Sequence, residues 1–581
     1  MQDERNKIDA EKTEQGGVVV VLRQVPMLLL MVAVMSIAVL GLVTAAIASG
    51  SQPDAADASR LSPPMILPGD ASASSSHSYN ADSDRWIIGA EPGTRSRRIA
   101  RDSGATTVNA ASGIYAIARE DAASFAEALR RTRDLAYAEP DVAITFSSYP
   151  ADLRASEQWW LDQVVDTNEI TPPPVTPNSP RLGLVEESLN PLHPDLLKAN
   201  LKRAFSLDAS SDSHGTAVAA IAGSPGEGAG IRGVWPGMNM THFPSGNNCV
   251  AATKAVFTAA RAKVAAINMS YGFPSDVCFS HYVATEAAVR KGVLPVASAG
   301  NTASPAELGN VAMRPATDPH VISVSAVDQN GLVADFATRN KQVDITAPGK
   351  GIYSPYIANG SAGSDETLDL SWAQNSGTSF SSPMVAAAAT MLSQARPELR
   401  ARQIGRLLTS SATDLGEPGR DQLYGEGLLN IDSALSFKSP PADPKEPNND
   451  IDWVNGSLLS GKAGFVWKPG RKRTGSINAT LARTKDPADV YRVRVAPRGK
   501  VLITAAQYQG DVKLKVFGPK AKTISKAKRQ LIVRSDKPRP KTEGVIVTNR
   551  KRRTQLVYVA LKTSPRWSGE YSRYRLEVAR R

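Results

Sequence analysis

The sequence predicts three structured parts: a doubly wound parallel α/β domain in the middle, a small α+β unit before it, and an all-β sandwich after it. Three observations carry this. Between residues 181 and 395, near-continuous apolar runs such as RLGLV, VAAINMS, VLPVASAG and VISVSAVD alternate with helical stretches such as AATKAVFTAARA, the pattern of parallel strands buried on both faces. From residue 488 onward, short alternating segments follow one another with turn signals between them and no convincing helix, as in a sandwich. The charge also divides between the parts: 32 Lys and Arg against 8 Asp and Glu from Ile451 onward, and 36 against 48 before it, which marks the last part as a separate domain with its own surface.

The amino-terminal stretch comes first. No charged residue lies between Gln24 and Pro53, and PMLLLMVAVMSIAVLGLVTAAIA at 26–48 is long enough to span a bilayer as a helix. Arg5, Lys7, Lys12 and Arg23 precede it and only Arg60 follows closely, so residues 1–24 are expected to stay in the cytoplasm and everything after residue 49 to be exported. Ala46-Ile47-Ala48 also offers a signal-cleavage site, so a membrane anchor at 25–48 and a secreted form cut after Ala48 both remain open. Residues 49–84, rich in Ser, Ala, Asp and Pro, read as a flexible linker.

The small unit spans 85–148. RWIIGA and SGIYAIA read as strands, and DAASFAEALRRTRD reads as a helix with Phe125 and Leu129 one turn apart, before LAYAEPDVAI. The middle domain is expected over 149–436, entered through the proline-rich TPPPVTPNSP. FKSPPADPKEPNND at 437–450 has the composition of a linker, and the basic sandwich fills 451–581. Two cysteines exclude a disulfide-rich scaffold and a CxxC metal site, leaving one bridge or two free thiols.

Chemistry in an open parallel sheet belongs at the C-terminal ends of the strands. Ser213-His214-Gly215-Thr216 opens one Ala-rich helix there, and Gly377-Thr378-Ser379-Phe380-Ser381-Ser382-Pro383 opens another. A helix start disfavours imidazolium and stabilises developing negative charge. The run LGLVEESLN at 182–190 ends a strand in two adjacent acids, Glu186 and Glu187.

HGTAVAAIAGS, INMSYG, VASAGN and SGTSFSSPMVAAAA together resemble the signature segments of the subtilisin-like serine proteases, the subtilase family, from about Gln158 to about Leu435. The resemblance implies a serine endopeptidase acting on protein or peptide substrates. Ser379 would be the nucleophile, His214 the general base and Asn301 the side-chain donor to the oxyanion. Ser270-Tyr271-Gly272 would be the edge that pairs with extended substrate. Cys249 and Cys278, on loops that this family places around the cleft, would form one bridge in an oxidising compartment. The unit at 85–148, of ferredoxin-like α+β type, resembles the family's inhibitory propeptide. Its presence implies a zymogen cut somewhere near 149–157, with the prodomain as the chain's own first partner. No cofactor is expected; the resemblance allows calcium without a recognisable site, and no other metal. The final sandwich looks like the domain that follows the catalytic part of many secreted peptidases, and its basic surface could hold an anionic surface or polymer. No nucleic-acid motif is visible, so no nucleic-acid partner is expected.

One departure stands out. The family's orienting aspartate lies seven positions before a His-Pro-Asp-Leu segment, in an Asp-Ser/Thr-Gly turn. Counting back from His193 gives Glu186, followed by Glu187 and Ser188. A glutamate can accept a hydrogen bond from the imidazole, but its extra methylene requires the strand end to retreat or the side chain to fold back, because catalytic geometry tolerates only about 0.5 Å. Glu187 and Asp212 are the substitutes. The reading is an active Ser-His-Glu endopeptidase; the competing one is a catalytically impaired binding protein of the same fold.

Overall fold

The computed structural model describes residues 84–141, 145–146, 149–152, 158–166, 171–203, 213–226, 230–302, 313–358, 369–459, 461–538 and 542–581. The expected span at 26–48 and its linker lie outside these residues. Among the described residues, no helix is long and apolar enough to cross a membrane.

The middle part is built on a seven-stranded parallel sheet. Its order from one edge is Ile345–Pro348, Ile322–Val327, Leu294–Ser298, Ala266–Met269, Arg181–Glu186, Asn239–Pro244, Leu201–Arg203. Side chains alternate between its faces. Leu182 and Leu184 join a core with the helices Ser213–Gly223 and Thr378–Ala395. Val185 and Ile267 join another with the helices Cys249–Ala262 and Phe279–Arg290. The apolar runs were therefore continuous for the expected reason: both faces are covered. The same alternation puts Glu186, two residues on from Leu184, on the face carrying the His214 and Ser379 helices.

The amino-terminal unit is a four-stranded antiparallel sheet with two helices in a split βαβ arrangement. One face, with Trp86, Ile88, Tyr115 and Ile117, packs on its own Phe125 and Leu129. The other, with Ile87, Ile114 and Tyr137, packs on the Cys249 and Phe279 helices. Two pieces were not legible in the sequence: the helix Thr94–Asp102 and the strand Thr106–Asn109. TRSRRIARD buries only Ser96 and Ala100, so it carries little apolar periodicity.

Past residue 455 the chain forms a five-stranded and a four-stranded sheet enclosing one apolar core. Phe465–Trp467 and Thr474–Ala482 extend the strands expected from sequence, and one short helix, Ile451–Asn455, precedes them. The stretch 437–450 does not run free as a linker. Asp443, Asn448 and Asn449 are buried; Asp443 accepts from the Thr480 hydroxyl at 2.6 Å, and Asn448 from the Val490 N–H at 3.2 Å. Its polar composition serves a packed, hydrogen-bonded junction. Arg402 bridges that junction, 3.3 Å from Glu446 and 2.9 Å from Asp486.

Cys249 and Cys278 are joined, with Cα atoms 5.9 Å apart. Cys249 begins one helix and Cys278 is the N-cap of the other, so the bridge staples two helix N-termini. A loop closed over 29 residues is worth about 3.6 kcal/mol in the chain-entropy account. Replacing both cysteines with serine should lower the thermal midpoint by a few degrees, and a reductant added to the wild type should reproduce the drop; calorimetry checks both.

Candidate active site

Glu186 closes its strand fully buried. A buried carboxylate must be met by donors or a countercharge, and three groups meet this one. Oε1 accepts from the Asn268 amide at 3.1 Å and from the Ser270 N–H at 3.2 Å. Oε2 lies 3.3 Å from His214 Nδ1. The carboxylate is thus held from the side by the neighbouring strand. Glu187 is exposed, as expected of a residue one step past the strand end, and Asp212 lies outside the described residues.

His214 sits in the first turn of its helix, whose start is tied down by Ser213. The Ser213 hydroxyl donates to the Ile357 carbonyl at 3.1 Å and accepts from the Ile357 N–H at 3.0 Å. The next residue has to be glycine. A Cβ on Gly215 would stand 1.9 Å from the Ser188 carbonyl oxygen and 3.4 Å from Glu186 Cβ. Only a hydrogen there lets the turn after Glu186 lie against the helix that carries the imidazole.

Ser379 lies in the first turn of Thr378–Ala395, fully buried, and its hydroxyl donates to the Ser270 carbonyl at 3.2 Å. Pro383 explains a second link. Four residues on from Ser379, it has no N–H to offer the Ser379 carbonyl. That carbonyl instead accepts from the Ser270 hydroxyl at 2.8 Å. The missing N–H leaves that carbonyl to Ser270, which links the start of the edge strand to the Ser379 helix.

Asn301 follows the strand Leu294–Ser298. Its Oδ1 accepts from the Thr378 N–H at 3.0 Å and the Thr378 hydroxyl at 2.9 Å, which ties the Asn301 side chain to the start of the Ser379 helix. Tyr271 and Gly272 lie on the strand Tyr271–Pro274, which pairs antiparallel with Thr145–Phe146. The Tyr271 ring turns away from that edge, its hydroxyl 2.8 Å from His281 Nε2. Burial and then the Glu186 charge push the Tyr271 phenol well above its ordinary range. Burial, and then Arg314, push His281 down to about 3.

Two residues of this network escaped the sequence reading. Asn268 donates to Glu186 and to the Ser270 hydroxyl, and its Oδ1 accepts from Ser382 at 2.7 Å. The signal was present: a lone amide inside the apolar strand AINM, on the face shared with Glu186. Ser382, one turn after Ser379, is one of several serines in its motif, and nothing in the residue type sets it apart.

The profile of the subtilase family matches residues 185–427. Subtilisin DY of Bacillus licheniformis is 29% identical over 262 residues, which cover 44% of this chain and 90% of that protein. Subtilisin Savinase of Lederbergia lenta is 31% identical over 226 residues, 38% of this chain and 77% of that one. The chain belongs to the subtilase family. It is a serine-type endopeptidase. The minor extracellular protease Epr of Bacillus subtilis is 27% identical over 317 residues, 52% of this subtilase and 46% of Epr.

Calcium was allowed by the resemblance. Among the described residues, the groups close enough to share a cation are His320, Glu446 and Asp486, and Asp443, Glu446 and Asp489. Both lie at the junction with the sandwich. In the first, the Arg402 guanidinium already takes the place of a cation. No step at Ser379 runs through either.

Asn268→Ala should lower kcat by about tenfold to a hundredfold, the cost of about 1–3 kcal/mol for leaving a buried carboxylate short of a donor, with KM nearly unchanged. Steady-state kinetics on a peptide substrate separate the two. Gly215→Ala should fall further, because its obstacle is backbone.

Proposed function

We propose that this subtilase works through a Ser379-His214-Glu186 triad and is made as a self-inhibited zymogen that acts outside the cytoplasm. The observation that carries the triad is the Glu186 carboxylate, 3.3 Å from His214 Nδ1 by one oxygen and tied to the Asn268 and Ser270 donors by the other. In this reading Glu186 holds the imidazole in the tautomer with Nδ1 protonated, so Nε2 takes the proton as the Ser379 hydroxyl attacks a peptide carbonyl. The Asn301 amide and the N–H groups at the start of the Ser379 helix receive the oxyanion. His214 then passes its proton to the leaving amine, and water releases the acyl group by the reverse sequence.

The zymogen reading is supported by how the amino-terminal unit is held. Its last strand ends at Pro140. Glu139 accepts from the Phe279 and Ser280 N–H groups, the latter at 2.8 Å, and Asp141 from the Val250 N–H at 2.9 Å. Two carboxylates thus cap the two helices that the disulfide staples, where the helix dipoles favour negative charge. The chain beyond them then lies along the Tyr271–Gly272 edge, where a substrate would lie.

The charge-free run at 24–53, with basic residues before it, supports export, either anchored at 25–48 or secreted after a cut following Ala48. The positive excess after Ile451 supports a sandwich that rests on an anionic surface or polymer. The competing reading, an impaired binding protein, keeps the fold and loses the chemistry.

Expressed in full, the wild type should release its amino-terminal unit, whereas Ser379→Ala should not. Glu186→Ala should do so roughly 10⁴-fold more slowly, the scale measured for losing the orienting acid in subtilisin. Release followed on gels decides it: equal processing in all three sinks the triad, and a phosphonate probe that fails to label Ser379 in the mature protein favours the impaired alternative.

A further inference from the structure

We propose that the cavity where the sandwich meets the catalytic part binds a carboxylate carried on a short carbon chain, and that Arg406 is the residue that pairs with it. None of the triad residues lines this cavity.

The cavity has a volume of about 80 Å³ and is bounded by the helix Ala401–Ser410 and the sandwich strands Thr474–Ala482 and Tyr571–Arg580. Part of its lining is apolar, supplied by Leu294, Val321, Ile322 and Ala482. Much of the rest is charged. Four permanent cations line it, Arg402, Arg406, Arg420 and Lys485, against three acids, Asp344, Asp486 and Glu570. Three of those cations already have carboxylates. Arg402 lies 2.9 Å from Asp486 and 3.3 Å from Glu446, Arg420 lies 2.9 Å from Asp344, and Lys485 lies 3.3 Å from Asp344. The third acid, Glu570, accepts from the Thr484 N–H at 2.8 Å and from the Thr484 hydroxyl. His320 also lines the cavity, and it faces acids outside the lining, Glu286 at 2.9 Å and Glu446 at 3.4 Å.

Arg406 is the exception. Among the described residues, no carboxylate lies within salt-bridge distance of it. Its Nη1 donates to the Thr480 hydroxyl at 2.6 Å, and the guanidinium rests over the Tyr571 ring, 5.7 Å from the centroid. Asp443 reaches it only through Thr480, whose hydroxyl donates to Asp443 at 2.6 Å. Burial and then the Asp486 charge push Asp443 up to about 8, so at pH 7 most of that acid is uncharged. Burial lowers the Arg406 pKa from its ordinary value, against the pull of Asp443. Taking a cation out of water is costly unless an anion meets it. Thr480 and Tyr571 hold this one in place, and its Nε and Nη2 edge is the fork that matches the two oxygens of one carboxylate.

Charge and size select the ligand. One negative charge balances four cations against three acids, whereas a dianion would be repelled by Asp486 and Glu570. The volume is that of roughly six waters, which fits a carboxylate with two or three carbons, and the apolar lining receives the carbons. Two sources share this chemistry: a free short-chain acid, and the C-terminal residue of a peptide such as the products of this enzyme.

The test uses the full chain carrying Ser379→Ala, so that added peptides survive, and follows binding by titration calorimetry and by thermal unfolding. Propionate should bind with a Kd on the order of 1 mM. Propionamide should not bind, and sulfate should bind at least about tenfold more weakly than propionate. Adding Arg406→Gln should weaken propionate at least about tenfold, with Arg406→Lys in between. Propionate at about a hundredfold over its Kd should raise the thermal midpoint by a few degrees, and the rise should vanish with Arg406→Gln. Acetyl-Ala-Ala with a free carboxylate separates the sources: Arg406-dependent binding tighter than that of propionate assigns the site to peptide ends, and equal or weaker binding assigns it to free acids. No saturable binding of propionate, propionamide binding as well as propionate, or an affinity unchanged by Arg406→Gln overturns the proposal. If Arg406→Gln fails to fold, the contrast between propionate and propionamide still decides whether a carboxylate is bound, and Arg406→Lys decides whether Arg406 binds it.

Discussion

The site is organised around one buried carboxylate. Glu186 has no exposed surface, so the groups that compensate its charge must be supplied by the fold itself. Asn268, Ser270 and His214 supply them, one from the neighbouring strand, one from the start of the substrate edge and one from a helix. Two of them also reach the Ser379 helix: Asn268 receives Ser382, and Ser270 exchanges two hydrogen bonds with Ser379. The positions of Glu186 and Ser379 are therefore one problem, solved by the same residues.

That coupling depends on two places where ordinary helix chemistry is suspended. Gly215 gives up its side chain so that the Ser188 backbone can come against the His214 helix. Pro383 gives up an N–H so that the Ser379 carbonyl is available to Ser270. Each substitution would be a liability in an isolated helix, where Gly costs about 1 kcal/mol and Pro about 3. Here tertiary contacts replace what the helix loses. The close approach at Gly215 also brings Glu186 Cβ within 3.4 Å of where a Cβ on that residue would stand, so the strand end and the His214 helix are packed against each other directly.

The sequence carried the parallel sheet plainly, since strands buried on both faces are continuous apolar runs, and it carried His214, Asn301 and Ser379 through motifs at helix starts and strand ends. Position 186 came from counting, not from residue type. Asn268 was legible only as an amide in an apolar strand, and its importance depends on which face that residue occupies, which a strand considered alone does not reveal. The helix Thr94–Asp102 was hidden because a helix with two small buried residues has almost no apolar stripe. The packed junction at 437–450 was hidden because proline and charge look the same in a tether and in a polar interface; what distinguishes them is the partner, Arg402, some forty residues upstream and on another element.

The junction also changes what the charge division means. The basic sandwich does not meet the acidic remainder as two opposite surfaces. Its own acids, Asp486 and Asp489, are buried at the contact together with Asp443 and Glu446, and the cation among them, Arg402, comes from the other side. Two of the eight acids of the sandwich are thus withdrawn from its surface into the junction. Lys515, Lys520, Lys522, Lys526 and Lys528 stay exposed, so the positive excess of the sandwich lies on its surface while part of its acid content lies inside.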